Sequence, residues 1–381
     1  MTGASASTEP SKPGHPIRAA PQLERWRWLR LIPLVAGAGA LLAGLWTGLA
    51  RLGLALPGGM PVLAEFHGAL MISGFLGTLI SLERAVAIGR WWAYAAPALS
   101  TIGALALIAD ESAFAPGAFL LASIALTFNS CTVLTRLPTL FTAILAVGAA
   151  CWAGGTLGWI KGAEATSVAG WWLAFLVLTV AAERLELSRV LSPPLSSQLT
   201  FSFAASLLII GAASEEFSGK LAPFFGVGLL AMAAWLVRHD IALRTIRLSA
   251  QPRFSATCLL AGYFWLGVAG LLLLLDPPGA TAFSYDAAVH AITIGFIFSM
   301  IFGHAPIIIP AVAGLRVRYS AAAYMPLVLL HISVLLRITA DLFKWIEIRA
   351  ISGSATIIAL ACYAAILVIT RRRHESQHRA S

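Results

Sequence analysis

The sequence is short of charge. Only 11% of its 381 residues are Asp, Glu, Lys or Arg, against 59% apolar residues. A soluble domain carries about 25% charged residues, so that class is excluded. Cysteine is scarce too. Cys131, Cys151, Cys258 and Cys362 stand alone, with no paired spacing, which argues against a disulfide framework or a thiolate metal cluster and for packing roles. There is no Gly-rich phosphate loop and no His-Glu-x-x-His helix, so nucleotide hydrolysis and zinc proteolysis lack their motifs. The runs do not alternate apolar and polar every second residue, which argues against an outer-membrane barrel.

What is present is a series of apolar runs near twenty residues long, enough to cross about 30 Å of hydrocarbon as helix. Spans are expected at 30–50, 62–82, 91–109, 114–134, 138–160, 167–187, 197–213, 221–238, 254–275, 284–312, 320–341 and 350–370. They are joined by turn formers such as Pro57-Gly58-Gly59, Ser192-Pro193-Pro194 and Asp276-Pro277-Pro278-Gly279. The expected fold is all-α, a polytopic membrane protein of about twelve helices. One membrane domain, 29–371, lies between an N-terminal tail (1–28, rich in Ser, Ala, Pro and Gly over 1–22) and a short basic tail (372–381).

The basic residues set an orientation. With the N-terminus inside, one side holds 20 Lys and Arg, the other holds Arg51, Lys161, Lys220, Lys344 and Arg349, and Arg337 lies within a span. The positive-inside rule then puts both termini in the cytoplasm, and the membrane is a bacterial-type inner membrane. The net charge of +9 is thus a topology signal and implies no nucleic-acid partner. Twelve Trp, including Trp26, Trp28, Trp91, Trp92, Trp171 and Trp172, cluster near span ends as an interfacial belt.

A faint echo runs along the chain. His67-Gly-Ala-Leu-Met-Ile-Ser-Gly-Phe opens span 2 and His290-Ala-Ile-Thr-Ile-Gly-Phe opens span 10. Glu83-Arg84 closes span 2 and Glu183-Arg184 closes span 6, positions that suit head-group anchoring. Spans 2, 6 and 10 are four apart, which suggests three four-helix units.

Ionisable groups inside spans are costly and need a partner or a purpose. Of eight histidines, His15, His239, His374 and His378 fall in tails or at a loop. His67 and His290 fall at matched depth near the outer face, each followed by small residues. Axial haem ligands from facing helices fit that placement; hydrogen bonds to neighbouring helices are the plainer alternative. Asp286 precedes His290 by four residues and shares its face, so it could accept the second ring N–H. Arg337 lies at similar depth. It could pair with Asp341, four residues on, or clamp carboxylates such as haem propionates. His304 and His331 are expected together near the bilayer middle, where a second haem, a metal or a polar hydrogen-bonded pair all fit. Pro306 and Pro310 must disturb the helix after His304 and free carbonyls that need partners.

The stretch His290-Ala-Ile-Thr-Ile-Gly-Phe-Ile-Phe-Ser-Met-Ile-Phe-Gly-His304 resembles the most recognisable segment of NnrS-type membrane proteins, and the His67 segment is similar to their early His-bearing span. The resemblance implies about twelve spans, bound haem, and a link to nitric oxide and nitrosative stress. Gly-His304 continues here as Ala305-Pro306-Ile307, where a polar continuation belongs to that family. A wider resemblance is to the catalytic subunit of haem–copper oxidases. It implies twelve spans in three arcs, with haem ligands at His67 and His290 and a propionate role for Arg337. Its copper ligands have no counterpart, since no His occurs between His67 and His239. Copper binding has no support from these residues. The expectation is a b-type haem protein with nitric oxide, quinol or a redox protein as partner. A cofactor-free transporter built on His304 and His331 is the competing reading.

Overall fold

In hydrocarbon an apolar run can satisfy its amides only within its own helix or in a closed barrel. The computed structural model describes residues 27–54, 61–189, 194–214, 217, 219–278 and 283–379. Among them there is no strand, and twelve helices are long and apolar enough to cross a membrane. They are α1 (Trp28–Arg51), α2 (His67–Ile88), α3 (Trp91–Ile108), α4 (Ala115–Arg136), α5 (Leu140–Ile160) and α6 (Ala165–Ser188), followed by α7 (Leu195–Ala212), α8 (Ala222–His239), α9 (Ala250–Leu275), α10 (Ser284–Ala313), α11 (Ala321–Phe343) and α12 (Ile346–Arg371). The protein is an all-α, multi-pass membrane protein. Large apolar side chains such as Leu42, Phe128, Phe203 and Leu275 face outward, as a lipid-exposed surface requires.

Neighbours in sequence pack as antiparallel pairs, but α2, α6 and α10, four apart in the chain, touch one another at the centre. Of the twelve, α6 is the most buried and α12 the least. Pairing of the first and last units closes the bundle, through contacts of α12 with α1.

The boundaries differ from expectation mainly at α2. Glu83-Arg84 does not close the helix, which runs on to Ile88 and stops at Gly89 in a left-handed conformation (φ 67°). α10 ends the same way at Gly314 (φ 68°), where a side chain would be strained. The last helix continues as Ile346–Arg379, so the expected basic tail begins as helix. The expected N-terminal tail lies almost wholly outside the described residues, as do Pro57-Gly58-Gly59, Ser192-Pro193 and Gly279.

Neither α2 nor α10 is a plain α-helix. Leu70–Gly77 and Ala291–Phe298 are wide, π-type turns of 8 residues each. They begin just after His67 and His290, and such turns gather at functional sites. The carbonyl of Ser73 accepts the Ser100 hydroxyl (2.7 Å), and the Ser73 hydroxyl accepts from the Trp152 indole (2.9 Å). The helix also survives both prolines, which lie inside Ser299–Ala313. Pro306 has no N–H for the carbonyl of Phe302, four residues earlier. Tyr363 of α12 donates its hydroxyl to that carbonyl (2.5 Å) and stacks on the Phe302 ring (3.9 Å). Tyr363→Phe is expected to cost about 1–3 kcal/mol, the penalty for a buried carbonyl left alone, read as a lower Tm of the detergent-solubilised protein. In a Pro306→Ala background the same change should cost much less, because a restored amide fills the carbonyl.

Candidate functional site

Three central helices that all begin at one end of the bundle leave a space there. A cavity of about 410 Å³ opens between α1, α2, α6, α10, α11 and α12, within the size range of cofactor pockets. His67, Asp286, His290, Arg337 and Arg349 line it, with Trp172 and Phe298 among the apolar walls.

His67 and His290 face each other. Their ring centroids are 6.5 Å apart and the ring planes differ by 12°. Two imidazoles sharing one metal through bonds of about 2.0–2.1 Å would have centroids about 6.3 Å apart. Each ring is held from behind. Nδ1 of His67 meets the Gly44 carbonyl at 2.7 Å, and Nδ1 of His290 meets the Asp286 carbonyl at 2.8 Å. A carbonyl only accepts, so Nδ1 carries the proton in both, and the lone pair is on Nε2. That is how metal-ligating histidines are oriented.

The Gly44-Leu-Trp-Thr-Gly48 stretch of α1 holds His67 in place. Gly44 supplies the carbonyl. A Cβ on Gly48 would lie 2.9 Å from Cε1 of His67, so only glycine leaves room for the ring. Eight residues beyond each histidine, Phe75 and Phe298 stack across the same two helices at 6.0 Å and 20°. The structural equivalence therefore pairs Phe75 with Phe298, not with Phe296 as the Gly-Phe echo implied.

A closed ring of charges sits beside the histidines. Asp286 accepts from Nη2 of Arg337 and from Nη2 of Arg349 (2.6 Å). Asp341 accepts from Nε of Arg337 (3.2 Å) and from Nε of Arg349 (2.5 Å). The expected Arg337–Asp341 pair is therefore one side of a four-membered ring. Asp286 holds His290 chiefly through its main chain, with its carboxylate at 3.3 Å. Arg349 also lies over the Phe283 ring at 3.7 Å. The bonds described use only Nε and Nη2 of each Arg, out of the five N–H donors a guanidinium carries.

Arg349, expected among the loop charges, lies inside α12 and completes the ring. A signal existed, because two acids, Asp286 and Asp341, share one layer with a single in-span Arg and need a second cation.

The other expected pair does not form. No hydrogen bond or ring contact joins His304 to His331 among the described residues. His331 accepts from the Trp265 indole at Nδ1 (2.9 Å) and reaches Ser299 Oγ from Nε2 (3.5 Å). Its proton is then on Nε2, and neither nitrogen offers a free lone pair. His304 donates Nδ1 to the Met300 carbonyl (2.6 Å) and belongs to a different polar group. Among the described residues no three or more His, Cys, Asp or Glu gather as a bare-metal site. A metal between His67 and His290 would bring its remaining ligands with it, as a porphyrin does.

A family model described as a domain of unknown function, DUF8744, matches residues 30–372. The chain belongs to the DUF8744 family. The match takes in all twelve helices apart from the first residues of α1, so the cavity, both histidines and the Arg–Asp ring lie inside the DUF8744 region. No curated protein and no solved structure matches the chain.

Removing one member of the Arg–Asp ring strands its partners in a low-dielectric layer. Arg337→Met is expected to cost about 3–5 kcal/mol, seen as a large fall in Tm or in monodisperse yield. Arg337→Met with Asp341→Leu should recover part of that loss.

Proposed function

We propose that this is a haem-binding membrane protein of the NnrS type, with His67 and His290 as axial ligands of a b-type haem between α2 and α10. The observation that carries this reading is the facing imidazole pair, 6.5 Å between centroids and 12° between planes, each pinned at Nδ1. Its support is the cavity lined by Arg337 and Arg349, whose remaining N–H donors suit two carboxylates. Bound there, haem supplies a one-electron couple tuned by its axial ligands and by burial.

With both His67 and His290 holding the iron, a bound haem would serve electron transfer more readily than binding of a small gas. The partner is then a quinol or a redox protein. Nitric oxide handling, which the NnrS resemblance implies, would need one imidazole to give way. The proposal includes a bacterial-type inner membrane with both termini cytoplasmic and the cavity toward the outer face, a reading supported by the basic loops. A green fluorescent protein fused at the C-terminus should fluoresce.

The test is a visible spectrum, oxidised and dithionite-reduced, of protein purified in mild detergent from haem-supplemented cells. A Soret band with sharp reduced bands is expected. His67→Ala and His290→Ala should each remove most of it while the protein stays monodisperse. Gly48→Val should mimic His67→Ala, because its side chain fills the space of the ring. Colourless, monodisperse wild-type protein would refute the proposal. Spectra unchanged by nitric oxide fit electron transfer; a shifted Soret band would move the function to nitric oxide handling.

A further inference from the structure

A cavity inside a membrane bundle can be reached from water at its mouth, or from lipid through a joint between two helices. Lipid tails replace an apolar helix contact at little cost, because they are as apolar as leucine. They cannot replace a hydrogen bond or an ion pair. The joint that opens is therefore the lipid-facing one without a polar tie.

His67 Nδ1 on the Gly44 carbonyl ties α2 to α1. Arg337 and Arg349 on Asp286 tie α10 to α11 and α12. Arg349 on Asp341, with the Thr356 hydroxyl on Ser333 (2.9 Å), ties α12 to α11. Between α10 and α6 the Tyr285 hydroxyl reaches the Thr166 carbonyl (3.4 Å). The space between α6 and α2 is closed from behind by α5, whose Trp159 packs against Trp172 (5.6 Å) and Phe66 (6.1 Å). That leaves α1 against α12. At the level of the cavity no hydrogen bond or ion pair joins these two helices among the described residues. Their hydroxyls there are satisfied elsewhere: Thr47 donates to Gly44 of its own helix (2.9 Å), Ser352 to Arg349 of its own (2.6 Å), and Thr356 to α11. What meets is apolar. A Cβ added to Gly353 would collide with the side chain of Leu52, just past the end of α1, and touch that of Leu49 (3.5 Å). Leu49, Leu52 and Gly353 all line the cavity. α12 and α1 are also the two least buried of the twelve helices.

We propose that the cavity is loaded from the bilayer, by parting of α1 from α12 at Leu49, Leu52 and Gly353, and that its ligand is an amphiphile already dissolved in the membrane. The inference rests on the haem reading for the identity of that ligand and adds its route. An apolar body slides between leucine side chains whose contacts lipid tails replace while the joint is open. Its carboxylates travel along the cavity to the N–H donors of Arg337 and Arg349. The helices on either side stay held, α1 to α2 through Gly44 and α12 to α11 through Thr356 and Arg349. Gly353 lets them close tightly again behind the ligand. The competing route is the mouth, where Arg51 and Glu65 line the cavity and are exposed. An apolar ligand taking it leaves lipid for water, at about 25 cal/mol for each Å² of apolar surface.

The test is haem uptake by the full chain in liposomes, with haem supplied in the lipid phase and the Soret band followed in time. In the double variant Leu52→Cys, Gly353→Cys, oxidation to a disulfide is expected to slow uptake at least about tenfold, an added barrier of about 1.4 kcal/mol. Reduction of the same sample should restore the rate. Wild-type protein given the same oxidant controls for its own four cysteines. If the cysteine pair does not fold, Leu49→Ala decides: it thins the joint and should speed haem loss to haem-free vesicles several-fold. Equal uptake by the oxidised and reduced pair, or unchanged haem loss in Leu49→Ala, would overturn the route and leave the haem reading standing. Wild-type protein that takes up no haem would overturn both.

Discussion

Lipid offers no hydrogen bonds, so every carbonyl a helix releases and every charge it carries must be answered from inside the protein. The whole arrangement depends on that rule. Pro306 frees the Phe302 carbonyl, and Tyr363 brings α12 against α10 to meet it. The wide turn in α2 places the Ser73 carbonyl against Ser100 and its hydroxyl against Trp152, which draws α3 and α5 onto α2. Asp286, Arg337, Asp341 and Arg349 answer one another and so tie α10, α11 and α12 together beside the cavity. Asp286, Arg337 and Arg349, which hold three of the helices together, also line the cavity.

The central trio gives the molecule an internal correspondence. α2 and α10 each carry a histidine just before an eight-residue wide turn, place a Phe eight residues beyond that histidine, and end at a left-handed glycine. α6 stands between them without a histidine, and supplies Glu183 and Arg184 instead. One end of the trio therefore carries the two imidazoles, and the other carries carboxylate and guanidinium groups.

The twelve helices were legible because hydrocarbon thickness writes itself into run length. The matched depth of His67 and His290 was legible because both open even-numbered spans. Asp341 beside Arg337 followed from helical spacing alone. The rest depended on contacts between distant segments. Arg349 sits one residue before the expected span, whereas α12 begins at Ile346 and includes it. Glu83-Arg84 and Glu183-Arg184 read as anchors because charge near a helix end usually points outward, and burial of Arg184 is decided by how α6 packs at the centre. His331 read as a partner for His304 on depth, but helix rotation turns it to Trp265 and Ser299. The wide turns had no local signal, since nothing in Leu70–Gly77 or Ala291–Phe298 disfavours an ordinary α-helix.

Those turns have a further consequence. A π-type segment accommodates extra chain within a helix, and successive helical residues are about 100° apart around the axis. Both histidines lie on the cavity side of their wide turns, with most of the helix on the other side. Deleting one residue from either segment would leave the lower helix packed as before and swing the imidazole above it about a quarter-turn away from its opposite number. The facing pair thus rests on chain length between residues 67 and 75 and between 290 and 298 as much as on the histidines themselves. A relative could keep both histidines and still lose the site through a single-residue deletion there.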